Sequence, residues 1–139
     1  MKGLSLKRFK SEEKETPFAP TWDYNIVEGE IEDVDFDYVA KYLLEKRNDI
    51  LKIKPSKGDG YTGLGGDSVT ARHADFNIFN FEDEEINKLK SNILFLHSQL
   101  IQVVGADEFN KYKFDGLYIQ CWYNVMKKGE RILPHIHDI

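Results

Sequence analysis

Two histidines one residue apart, with an aspartate directly behind them, stand near the end of this chain: Ile132-Leu133-Pro134-His135-Ile136-His137-Asp138-Ile139. On an extended strand, side chains alternate with period two, so His135 and His137 project from one face and Asp138 from the other. Two imidazoles on one face at that separation can grip a single divalent ion. Imidazole suits Fe, Zn, Cu and Ni, and a carboxylate partner with open coordination positions favours non-haem Fe(II). Regular pleating sets His137 and Asp138 against each other as second ligand, and a β-bulge would re-aim the aspartate. The plainer alternative is a pair of surface histidines at an exposed strand end.

Elements that would position such a site can be read upstream. Leu117 to Val125 is dense in β-formers and predicts a strand. Lys127-Lys128-Gly129-Glu130 then reads as a turn, and Ile132 to Ile139 as the next strand. On the first of these strands Gln120, Trp122 and Asn124 share a face, and Asn124 lies nearest the turn. If that face is inward, Asn124 and Gln120 can orient a cosubstrate or a ligating imidazole. Trp122 and Tyr118, on the same face, read as core.

Further back, the spacing of Ile86, Leu89, Ile93, Leu96, Leu100 and Val103 predicts a helix over Asp83 to Val104, stopped by Gly105. Its apolar stripe is expected to pack on the sheet containing Leu117 to Val125. Phe36, Val39, Ala40, Leu43 and Leu44 predict a second helix over Val34 to Arg47, capped by Asp33 or Asp35, with Pro55 as its far limit. Trp22 to Ile31 carries the residues of one strand, whereas residues 1–21 read as a polar, poorly ordered lead-in. Gly58, Gly60, Gly63, Gly65 and Gly66 mark a loop that lacks the Gly-Lys-Ser/Thr of a phosphate cradle. Ser68 to Phe81 reads as an extended crossing segment. His73 and His97 are expected to be structural.

Composition narrows the classes. The 139 residues fit one domain, and 41% hydrophobic content is enough for a core. A net charge of -5 without a basic face argues against a nucleic-acid partner. No apolar run reaches the roughly 18 residues of a membrane span, so no membrane partner is expected. Cys121 is the only cysteine, which fits a reducing, cytoplasmic setting. It lies in an apolar aromatic run and reads as a small buried hydrophobe.

The run Trp122-Tyr123-Asn124-Val125-Met126-Lys127-Lys128-Gly129, followed by Pro134-His135-Ile136-His137, resembles the metal-entry strands of 2-oxoglutarate/Fe(II)-dependent oxygenases, especially the type often encoded by phages. Tyr61-Thr62-Gly63-Leu64-Gly65-Gly66-Asp67-Ser68-Val69-Thr70-Ala71-Arg72 resembles a segment upstream in such proteins. The resemblance covers about half of the chain. It implies an α+β fold in which a helical N-terminal half packs on the opening strands of a double-stranded β-helix, or jelly roll. It also implies Fe(II) in a facial triad, with 2-oxoglutarate as cosubstrate and a small-molecule or protein substrate. His135 would be the first ligand and His137 or Asp138 the second. The family's usual opening is His-x-Asp, and here His137 stands at the aspartate's place. The distal histidine and the cosubstrate arginine of the family would lie past Ile139; Arg72 and Arg131 are in the wrong places for that arginine.

Two other readings stay open. Gly129, His135 and His137 also fit the Gly-x5-His-x-His opening of cupins, which share the jelly roll. Too few residues follow Val104 to close an eight-strand barrel. Residues 22–139 therefore read as the N-terminal part of one oxygenase-like domain, with an open sheet edge inviting self-association. A non-catalytic structural or interaction fragment fits the same facts.

Overall fold

The computed structural model describes residues 1–10, 24–104 and 118–135. The chain divides into two compact units, one of Met1–Val34 with Lys88–Leu117, the other of Asp35–Asn87 with Tyr118–Ile139.

The first unit is built on two antiparallel strands, β1 (Lys2–Phe9) and β2 (Tyr24–Glu30). Leu6 pairs with Val27 and Phe9 with Tyr24. The register slips between Lys2 and Ser5, where Gly3 takes a φ of 64°, as a bulge next to a left-handed glycine requires. The outer face carries cross-strand pairs: the Phe9 and Tyr24 rings stack at 4.8 Å, and Lys7 bridges Glu28 at 2.6 Å. The other face holds the half-buried Asn25, Val27 and Gly29. It meets helix α2 (Glu84–Val104), whose Leu96 methyl lies 3.5 Å from where a Gly29 Cβ would sit. β1 falls inside the stretch read as an unordered lead-in. Its alternation is masked by Lys2, Ser5, Lys7 and Arg8, and every one of its residues is exposed.

The second unit starts at helix α1 (Phe36–Leu51), capped by Asp35, whose carboxylate accepts from the Tyr38 N–H at 2.9 Å. Its inward face is Val39 and Ile50, with Tyr42 and Leu43 half-buried beside them. Phe36 and Leu44, expected on that stripe, are 51% and 56% exposed. Val69, Ala71, Ile78, Phe79 and the fully buried Ile86 complete the core. Ser68 to Phe81 is not extended: it forms two short 3-10 turns, Thr70–Arg72 and Ile78–Asn80.

The jelly roll is overturned. The described residues hold one two-stranded sheet and two helices, a small α+β fold with no double-stranded β-helix. Leu117 to Val125 was expected to open that barrel and to take the α2 stripe; residues 118–125 form no strand. The reason lies in their partners. Asn77 donates its amide to the Ile119 carbonyl at 2.7 Å and accepts from the Cys121 N–H at 3.2 Å, while the Ile78 N–H reaches the Cys121 carbonyl at 2.9 Å. A side-chain amide and a helical turn thus stand where a neighbouring strand would. Tyr118, read as core, is 83% exposed. Residues 132–135 form no strand either, and residues 136–139 lie outside the described residues. No helix among the described residues is long and apolar enough to cross a membrane.

Candidate metal centre

His135 sits at the end of a segment that the glycine-rich loop holds by its backbone. The Leu133 N–H donates to the Thr62 carbonyl at 2.8 Å. Gly63, with a φ of +80°, accepts the Leu133 side chain so closely that an added Cβ would stand 2.9 Å from its Cδ1. The Leu133 carbonyl in turn meets Nδ1 of His135 at 2.9 Å. A carbonyl only accepts, so Nδ1 is the donor in this contact. Metal-ligating histidines commonly have one ring nitrogen anchored to a carbonyl or carboxylate in this way.

The loop owes its shape to Asp59. Its carboxylate accepts from the N–H groups of Tyr61 at 3.1 Å, Gly63 at 3.1 Å and Gly65 at 2.9 Å, and from the Thr62 hydroxyl at 3.4 Å. The Gly65 N–H leads the donors that hold the Asp59 carboxyl below its ordinary range, against the opposing effect of burial. Tyr61 sits in the left-handed region at φ 61° and is 90% exposed.

Arg72 ties the loop's exit to α1. Its buried guanidinium donates to the carbonyls of Ile53, Gly66 and Ser68 at 2.8 Å each and to Leu51 at 3.2 Å. Beside it, the buried Thr70 hydroxyl donates to Oδ1 of Asn124 at 2.6 Å, and Gln120 gives its amide N–H to the His73 carbonyl. His73 donates Nδ1–H to the Thr70 carbonyl at 3.0 Å and rests its ring near Trp122, a structural role as expected from the sequence. Half-burial raises the Cys121 thiol above its ordinary value, so it is no activated nucleophile.

Of the five site residues read from the sequence, three are described. Asn124 and Gln120 fall in one unit with His135, each with an amide engaged by the 70–73 turn. His137 and Asp138 lie outside the described residues, which contain no group of three or more His, Cys, Asp or Glu able to hold an ion. One imidazole thus fits a metal ligand among them, and a full ligand set does not. Asp59 and Arg72 went unassigned by sequence reasoning. The Asp59-Gly60 pair was a usable turn signal, whereas nothing local marks Arg72 as a clamp. No family model, curated protein or solved structure matches the chain.

Proposed function

We propose that this chain carries the metal-entry part of a non-haem Fe(II), 2-oxoglutarate-dependent oxygenase site, with His135 as first ligand and His137 or Asp138 as second. The observation that carries the reading is the Nδ1–H bond from His135 to the Leu133 carbonyl, on a segment whose own N–H is fixed to the loop. A ring nitrogen anchored to a carbonyl is a common feature of metal-ligating histidines, and His135 opens a His-x-His motif of ligand spacing. Bound Fe(II) with 2-oxoglutarate supplies O2-dependent hydroxylation of a C–H bond. The chain's own residues orient and hold. Thr70 fixes the carbonyl end of the Asn124 amide, which leaves its NH2 end to orient a cosubstrate oxygen. Gln120 has given an N–H to His73 and is the weaker candidate for that role. The substrate is a small molecule or a protein side chain, and the setting is cytosolic, where Cys121 stays a thiol.

The test is titration of Mn(II), as a redox-silent stand-in for Fe(II), into wild type and a His135→Ala, His137→Ala double variant. Wild type is expected to bind, and the double variant to lose that binding. Equal binding by both would remove the metal from this motif. Formation of succinate from 2-oxoglutarate with Fe(II) then separates an oxygenase from a plain metal binder.

A second reading is favoured by β1, all of whose residues are exposed and which, among the described residues, pairs with β2 alone. Such an edge suits a non-catalytic interaction module or self-association. Concentration-dependent sedimentation that a proline at Ser5 abolishes would support it.

A further inference from the structure

We propose that the outer edge of β1, with the groove between β1 and α2, takes an extended peptide segment that alternates acidic with apolar residues. The partner so named belongs to the interaction reading above, on which the proposal rests. β1 pairs with β2 through one edge, and among the described residues no strand lies along the other. The register divides its side chains between two faces. Leu6 pairs with the half-buried Val27, which puts Leu6 on the α2 side of the sheet. Lys2 pairs with Glu30 and Lys7 with Ile26, both exposed, which puts the two lysines on the opposite side.

On the α2 side the cover is incomplete. Leu4 and Leu6 are 47% and 40% exposed. Beside them lies a groove of about 270 Å³, lined by Leu4, Ser5, Leu6 and Val27 of the sheet and by Gln99 and Gln102 of α2. Pockets for whole small molecules run from roughly 300 to 1,000 Å³, so this one suits individual side chains. A strand laid along β1 turns every second side chain towards that groove while its main chain extends the ladder, as strand addition requires.

Charge selects the occupant. Lys2, Lys7, Arg8 and Lys10 lie on or just past β1, and residues 1–10 contain no acidic side chain. Lys2 meets Glu32 at 3.5 Å and Lys7 meets Glu28 at 2.6 Å, whereas Arg8 and Lys10 have no ion pair among the described residues. A second copy of β1 fits poorly. An antiparallel pair centred on Ser5 sets Lys2 against Arg8, and one centred on Leu6 sets Lys2 against Lys10; like charges directly opposite destabilise a sheet. An acidic, alternating segment puts apolar side chains on the groove side and carboxylates on the lysine side. A lipid or nucleic-acid surface has no main chain to complete the ladder.

The experiment titrates three synthetic peptides of β1's length into the full chain and follows the backbone amide resonances by NMR. One peptide alternates glutamate with valine, one alternates lysine with valine, and one is the glutamate peptide with a central proline, which breaks a ladder. The glutamate peptide is expected to saturate, to shift the resonances of β1, Gln99 and Gln102, and to bind more weakly as salt rises. The other two should not bind. Arg8→Glu with Lys10→Glu should weaken the glutamate peptide about fivefold or more, as loss and reversal of exposed charge pairs does. Should that variant fail to fold, the lysine and proline peptides decide on wild type. Equal binding of the glutamate and lysine peptides, shifts confined to other segments, or no saturation overturns the proposal. So do phosphatidylserine vesicles that shift the β1 resonances when the glutamate peptide does not. A chain that refuses the peptide yet self-associates in sedimentation, with Ser5→Pro abolishing it, keeps the interaction reading and sinks this one. A chain that does neither ends both.

Discussion

Arg72 donates to the carbonyl of Leu51, the last residue of α1, at 3.2 Å. The same guanidinium holds the Ile53, Gly66 and Ser68 carbonyls, so one buried cation closes a helix C-terminus and the exit of the glycine-rich loop together. Carbonyls at a helix C-terminus lack intrahelical donors and carry partial negative charge, which suits a cation. A planar fork with five N–H groups can serve four acceptors at once; an ammonium cannot.

Arg72→Ala should therefore cost about 2 kcal/mol, because four carbonyls in part-buried surroundings lose their donor. Arg72→Lys should recover little of that loss despite keeping the charge. Urea unfolding of the three proteins checks both points, and a lysine variant as stable as wild type would show that charge alone suffices.

Acid should loosen the loop through Asp59. Its folded-state value is lowered, chiefly by the Gly65 N–H. A lowered group contributes stability that is fully present above its unfolded value, near the ordinary 3.8, and is lost as pH falls through the lower folded value. Asp75, held down first by the Ser56 hydroxyl, acts in the same window and the same direction. Below about pH 3.8 the stability of Asp59→Asn should thus converge towards that of wild type, and above it the two should separate. A gap between them that ignores pH would contradict the assignment.

Alkali gives the mirror case. Burial pushes the Tyr123 phenol up to about 12, with a small opposing pull from Arg47, and its hydroxyl donates to the Leu43 carbonyl at 2.6 Å. A raised value means stability that is fully present below the ordinary value of 10.0 and is lost as pH rises through about 12. In an ultraviolet titration Tyr123 should ionise late among the seven tyrosines, and Tyr123→Phe should remove that late step. The same variant should cost about 1–2 kcal/mol, since it leaves the Leu43 carbonyl without this donor.

Ile86→Ala and Leu96→Ala distinguish the two ends of α2. Ile86 is fully buried and its truncation should cost about 2–5 kcal/mol, whereas the half-buried Leu96 should cost less than about 2. Thermal or denaturant unfolding that ranks Leu96 above Ile86 would place the main core contact at the other end of the helix.

Both helices were legible because a repeat of three to four residues survives any context. The helix read as Asp83 to Val104 runs Glu84–Val104, and Asp35, one of two caps considered for α1, is the one that bonds. What failed was the step from β-forming composition to a ladder. Ile119, Cys121 and Tyr123 have the side chains of a strand, but whether their backbone finds another strand depends on Asn77 and Ile78, some forty positions away. β1 failed for the opposite reason: its charged residues hide a pairing that Glu28 and Tyr24 on β2 complete. For the site, the type of His135 was readable and its setting was not, because its ring meets the main-chain carbonyl of Leu133, whose own N–H is held by the Thr62 carbonyl, and no side-chain pattern encodes those main-chain partners.

The Thr70–Asn124 pair offers the sharpest test of the cosubstrate role. Thr70 is buried and its hydroxyl donates to Oδ1 of Asn124 at 2.6 Å, which fixes the amide's orientation. Thr70→Val preserves shape and deletes the donor, so the amide can flip and present oxygen where it had presented N–H. A flipped amide sets an acceptor against a carboxylate and should repel it. The fold should lose only about 1 kcal/mol, the typical net worth of one hydrogen bond. In a protein competent for turnover, KM for 2-oxoglutarate should rise several-fold with kcat nearly unchanged, as when an interaction common to ground and transition states is removed. Asn124→Asp, which places a like charge at the same point, should raise KM further. Unchanged KM in both variants would leave Asn124 as a structural partner of Thr70 and take it out of the site.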